Sequence, residues 1–182
     1  TIDRKFRAGK PVVFGTKNPV KGHRAYGGVA RNVAENLVRL GVATSLMTIV
    51  GEDENGRSLI RHLDDLGIDT SQIRTTSRSM TAEYAAVLGP DGDLVVGMSD
   101  MEIFDFLDVG DLERAWPHLA SASWVFAECN LSAEVIAALI ARKATARFRL
   151  AVDAVSNEKS HRLPHDLSGI DVLFLNGKEA NA

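Results

Sequence analysis

From residue 29 onward, short apolar runs alternate with segments whose apolar positions recur every three to four residues, and this alternation restricts the fold more than any other feature. Val29, Val33, Leu37 and Leu40 fall at helical spacing, Arg31, Glu35 and Arg39 lie outside as i,i+4 ion-pair neighbours, and Gly41 ends the pattern. The run Thr44 to Val50, bounded by Gly51, reads as a strand. Asp53 then caps a second helix whose buried face is Leu59, Ile60, Leu63 and Leu66, ahead of Gly67. Further on, Trp124 to Ala127, Arg149 to Ala154 and Asp171 to Leu175 read as strands, with a helix opened by Ser132 and buried through Val135, Ile136, Leu139 and Ile140. Buried strands joined by amphipathic helices require a mostly parallel sheet covered on both faces.

Two stretches break the rhythm. Thr81 to Leu88 and Leu94 to Met98 are apolar runs joined by Gly89-Pro90-Asp91-Gly92-Asp93, which reads as an antiparallel hairpin. Lys5 to Arg24 carries Gly9, Pro11, Gly15, Asn18, Pro19 and Gly22 around Val12-Val13-Phe14, a pattern of strand and loops. We expect these segments, about 5–26 and 79–99, to form a small β-sheet lid over one α/β domain spanning 1–182.

Composition narrows the partners. With 21 Lys and Arg against 24 Asp and Glu, both signs interspersed and a formal charge of -3, nothing favours nucleic acid or an anionic membrane, so a small or neutral ligand is expected. Cys129 is the only cysteine, which excludes an internal disulfide and a cysteine-cluster metal site and makes a reducing cytoplasm the default. No apolar run approaches the roughly 18 residues of a membrane span. Thr1 to Lys10 has no apolar signal-peptide core. The chain lacks an initiator Met and stops at Asn-Gly-Lys-Glu-Ala-Asn-Ala, as if cut from a longer protein.

Gly27 and Gly28 stand immediately before the first helix, where missing Cβ atoms let a ligand approach free backbone N–H groups, or where they serve only a tight turn. Asn32 falls in the first turn. The run Gly27-Gly28-Val29-Ala30-Arg31-Asn32-Val33-Ala34-Glu35-Asn36-Leu37, followed by Leu40-Gly41, resembles the N-terminal signature of the ribokinase-like (PfkB-type) carbohydrate kinases. Val50-Gly51-Glu52-Asp53-Glu54-Asn55-Gly56 is similar to that family's V-G-x-D-x-x-G. Leu66-Gly67-Ile68 and Asn176-Gly177-Lys178-Glu179-Ala180 resemble two more of its motifs, in family order. Thr16-Lys17-Asn18-Pro19, the Gly-Gly-Val-x-Arg-Asn form and Ser99-Asp100-Met101 look most like the pseudouridine kinases within it.

The resemblance implies a three-layer α/β sandwich and ATP-dependent phosphorylation of a sugar or nucleoside hydroxyl, foremost pseudouridine to its 5′-phosphate. It places Asp3, Asn18, Gly27, Gly28, Asn32 and Glu128 at the substrate. Carboxylates accept paired hydroxyls and an amide both donates and accepts, which suits a polyol. Asp3 as a surface acid and Glu128 as a capping or solvated group are the alternatives. Asn176 and Glu179 are implied for the nucleotide phosphates and magnesium, with Glu179 acting through water; an N-cap Asn with a first-turn Glu has the same spacing. Lys159 reads as solvated.

Asp108-Val109-Gly110-Asp111 has too few glycines for the family's catalytic G-A-G-D and reads as a helix cap. No G-x-x-x-x-G-K-[ST], G-x-S-x-G or G-x-G-x-x-G occurs, which leaves a nicotinamide enzyme a weak alternative. Trp116, Trp124 and Phe126 read as core. The resemblance puts the catalytic Asp and its anion-hole glycines downstream of Ala182, so this chain alone is expected to be inactive. Two alternatives to a pseudouridine kinase stand: a non-catalytic sugar or nucleoside binder, and a ribokinase- or fructokinase-type enzyme. An exposed lid edge suits a homodimer.

Overall fold

The computed structural model describes residues 1–181. Its strands form three hydrogen-bonded sheets. Strands β1 (Ile2–Ala8), β2 (Val20–Tyr26), β5 (Glu83–Leu88) and β6 (Leu94–Asp100) make a four-stranded sheet in the order β2-β1-β5-β6. Only β1 and β5 run parallel in it; the β1/β2 and β5/β6 pairs are hairpins. Gly92, with φ of +99°, and the Gly89 N–H bonded to the Asp93 carbonyl at 2.9 Å close the second hairpin.

This sheet begins at Ile2, earlier than the expected residue 5, and Val12-Val13-Phe14 is not a strand. Those residues lie in the loop between β1 and β2, where Val13 and Phe14 are exposed. The Pro and Gly residues there break the ladder, while Ile2, Arg4, Phe6 and Ala8 alternate with exposed Lys5 and Arg7, the period-two pattern of a one-sided strand.

The parallel core is in two pieces instead of one central sheet. Strands β3 (Thr48–Gly51) and β4 (Ile73–Thr76) pair alone, and β7 (Trp124–Glu128), β8 (Arg149–Asp153) and β9 (Val172–Phe174) form the other piece. All of these pairs are parallel. Helices α1 (Val29–Arg39) and α2 (Glu54–Asp65) cover the first piece through Ala34, Leu59 and Leu63. Helices α3 (Val109–Ser121) and α4 (Ala133–Lys143) cover the second through Leu112, Ile136 and Leu139. Ile49 packs with Ala82, Ile103 and Leu107 in a third cluster between them.

The motif at 50–56 follows from close packing. A Cβ on Gly51 would lie 2.7 Å from the Thr81 nitrogen, and one on Gly56 would overlap the Gly51 carbonyl. Asp53 caps α2 by accepting from Gly56 N–H at 2.7 Å, and its other oxygen accepts from Thr81 N–H at 2.7 Å. One carboxylate thus ties α2 to the segment that enters β5.

Three expectations about side chains are corrected. Leu40 is 79% exposed, since α1 ends at Arg39 and Gly41 turns the chain away. Arg31 and Glu35, expected outside, have side chains only 10% and 13% exposed and pair with each other. The start of α1 is half-buried, and Arg31's side chain lies along it instead of reaching into solvent. Trp124, expected in the core, opens β7 half-exposed with the Arg149 guanidinium 5.5 Å above its ring. Asp108 and Asp111 do cap α3 reciprocally, and Asp111 is buried against Arg74.

Candidate active site

The Asp3 carboxylate lies directly over Gly27, so any side chain at residue 27 would overlap it. The contact follows from register: Ile2 pairs with Tyr26 in the β1/β2 ladder, and Gly27 N–H continues it to the Thr1 carbonyl at 3.0 Å. Gly28, with φ of +100°, then turns the chain into α1 as its N-cap without a side-chain cap bond. Only glycine adopts that backbone easily, and it leaves the first N–H groups of the helix open to a ligand.

Gly28 and Glu128 line one cavity together with Thr1, Arg31, Asn130 and Thr81. It measures about 40 Å³, which suits a few waters. Thr1, which lines the cavity, donates through its hydroxyl to the Asp3 carboxylate at 3.2 Å. Asn32, in the first turn of α1, is exposed and does not line the cavity, and its side-chain oxygen accepts from Arg31, whose other guanidinium nitrogen donates to Glu35. That leaves the Asn32 amide nitrogen free to donate outward.

Glu128, the last residue of β7 instead of the first beyond it, is half-buried at the carboxyl end of a parallel strand, where open α/β sheets place ligands. Burial pushes its carboxyl up to about 7, against the opposing pull of an Asn130 hydrogen bond and the Lys159 charge. Lys159 is not solvated as expected: its ammonium donates to the Asn130 side chain. Neither Asn130 nor this role of Lys159 was read from the sequence. The signal available was Asn130's place just beyond the end of β7.

Asn18 is not brought together with these residues. Its carboxamide closes its own loop, accepting from Val13 N–H at 2.9 Å and donating to the Val13 carbonyl at 2.8 Å and the Thr16 carbonyl at 3.1 Å. It follows the β1/β2 ladder's Ala8–Val20 end, about 17 Å along the strand from Asp3 at roughly 3.3 Å per residue.

Asn176 and Glu179 form a reciprocal turn after β9. Glu179 accepts from the Asn176 backbone N–H at 2.9 Å and from its side chain, while Asn176 Oδ1 accepts from the N–H groups of Lys178 and Glu179 at 2.9 and 3.1 Å. The N-cap geometry is therefore present. Among the described residues no group of three or more His, Cys, Asp or Glu could hold a metal. A lone half-exposed carboxylate fits magnesium held through water beside nucleotide phosphates, not a protein cage.

The family model for pfkB carbohydrate kinases matches residues 11–182, and the chain belongs to that family. It is similar to the pseudouridine kinase of Escherichia coli, with 29% identity over 167 residues that cover 92% of this chain and 53% of that protein. A carbohydrate kinase from Agrobacterium tumefaciens superposes with a TM-score of 0.89 at 27% identity, over 99% of this chain and 59% of that one. The Arabidopsis thaliana ribokinase complexed with ribose and ATP superposes at 0.75 with 18% identity, over 94% of this chain and 56% of that one. The fold is thus the ribokinase-like α/β fold, and the chain spans about half the length of these relatives. No helix among the described residues is long and apolar enough to cross a membrane.

Proposed function

We propose that this chain carries the substrate half of an ATP-dependent cytoplasmic sugar or nucleoside kinase whose preferred substrate is pseudouridine, phosphorylated at its 5′-hydroxyl. The observation that carries the reading is the meeting of Asp3 with Gly27 beside a helix start whose cavity also holds Glu128. Asp3 accepts a pair of sugar hydroxyls, the Asn32 amide donates to a ring or hydroxyl oxygen, and Glu128 accepts a further hydroxyl from the opposite wall. Glu179, backed by Asn176, would hold magnesium through water; the ion supplies charge that neutralises the nucleotide phosphates. The sheet β2-β1-β5-β6 acts as lid, and its exposed apolar residues Val95 and Met98 suit pairing with a second copy.

In this reading the general base and anion hole belong to a G-A-G-D segment that residues 1–182 do not contain. Sugar binding and phosphoryl transfer should therefore separate: the 182-residue chain binds pseudouridine weakly without turnover, and the complete protein turns over. The test is phosphoryl transfer from ATP by the complete protein to pseudouridine, uridine, ribose and fructose. The highest kcat/KM is expected for pseudouridine. A preference for ribose or fructose would replace it with a ribokinase- or fructokinase-type reading, and binding without transfer would leave a non-catalytic binder.

A further inference from the structure

Lys159 stands one short helix beyond β8, and the chain reaches it through an unusual bend. Val155 has φ of +67°, a left-handed conformation that β-branched residues avoid, and the Asp153 carboxylate accepts from its N–H at 2.7 Å. The bend carries helix α5 (Asn157–Ser160) back toward the end of β7. There the Lys159 ammonium donates to Asn130 Oδ1, and Asn130 Nδ2 donates to Glu128 Oε2.

We infer that Lys159 is a positioning residue for the sugar site, which acts through Asn130 to fix the orientation and the charge of Glu128. The inference rests on the reading of Glu128 as a sugar ligand. An ammonium has donors only, so Asn130 must turn its oxygen to Lys159 and its NH₂ to Glu128. Glu128 Oε2 is thereby committed as an acceptor, and Oε1 is left for the ligand. The ammonium also opposes the burial that favours the protonated acid.

The other charges around Glu128 are accounted for by element. Asp153, at the end of β8, raises its proton affinity. Glu158 and Arg162 face Lys159, and Arg162 also donates to the Cys129, Asn130 and Leu131 carbonyls, which fixes the turn that holds Asn130. Arg31, from α1, faces Thr1. Cys129 is buried, with its thiol pushed up to about 11. Among these, Lys159 is the cation that reaches Glu128 through a side-chain relay.

The experiment uses the complete protein and two readouts: an NMR titration of the Glu128 carboxyl, and the pH profile of kcat/KM for pseudouridine. With Lys159→Met, the Glu128 titration and the acidic limb of kcat/KM should both move up by about one pH unit, so that kcat/KM near pH 6 falls about tenfold and recovers near pH 9. Asn130→Ala should move both the same way, and Lys159→Arg should restore much of the wild-type profile. A Glu128 titration that stays in place in Lys159→Met and Asn130→Ala overturns the inference, whatever the kinetics. A titration that moves while kcat/KM does not follow overturns instead the reading of Glu128 as a sugar ligand, as would Glu128→Gln with an unchanged pseudouridine KM.

Discussion

The Asp3 carboxylate fills the space that a side chain on Gly27 would need. Because the overlap is with the movable end of a side chain and not with backbone, Gly27→Ala should leave the fold nearly intact and displace Asp3. In the complete protein we expect a melting temperature close to wild type, a sugar KM raised tenfold or more, on the order of 1.4 kcal/mol, and an unchanged KM for ATP. An unchanged sugar KM in a folded variant would remove Asp3 from the site.

Asn32 presents its amide nitrogen because Arg31 holds its oxygen. Losing a partly desolvated polar contact costs about 1–3 kcal/mol, so Asn32→Ala should raise the sugar KM roughly five- to 150-fold. Arg31→Met, which frees the amide to rotate, should raise it less and leave ATP binding alone. Steady-state kinetics with each substrate varied separately decide this. Equal effects on both KM values would mean a general loss of structure.

The glycines were legible in the sequence because they mark places where another group must come close, and Gly27, Gly51 and Gly56 each have such a neighbour. Helix capping by Asp53, Asp108 and Ser132 was equally local and equally readable. The inward face of α1 was not. Its periodicity ranks Leu40 with Val33, but which side is buried depends on the elements packed against it, and these admit the paired Arg31 and Glu35 and leave Leu40 in water. Lys159 was missed for a similar reason. Its partner Asn130 is 29 residues away, and only the left-handed bend at Val155 brings the two together.

Asp53 serves stability more than chemistry. It accepts from Gly56 N–H, Thr81 N–H and the Thr81 hydroxyl, at 2.7, 2.7 and 2.9 Å. Asp53→Ala removes the α2 cap and leaves the N–H and hydroxyl hydrogen of the buried Thr81 without their acceptor, a loss of about 2–4 kcal/mol by the usual cost of caps and unsatisfied donors. Gly56→Ala should be at least as damaging, since its Cβ meets the Gly51 carbonyl and lies 2.9 Å from Thr81 Oγ1. Chemical denaturation of the variants measures both. Sugar affinity per folded molecule should be preserved in Asp53→Ala.

Glu128 makes stability depend on pH in the direction opposite to that of an ordinary ion-paired carboxylate. Unfolded, it loses its proton near the usual value of about 4.3; folded, it holds it up to about 7. Below the first value both states are protonated and nothing is lost. Between the two the unfolded state ionises first, so stability falls as pH rises through the window, and the full cost is present above pH 7. Glu128→Gln keeps the acceptor for Asn130 and removes the charge. It should match wild type near pH 4, gain on it steadily to pH 7, and keep a constant advantage above that in thermal melts of the complete protein. A difference that does not change with pH, or a wild type that is the more stable at pH 8, would show that burial does not govern this carboxyl.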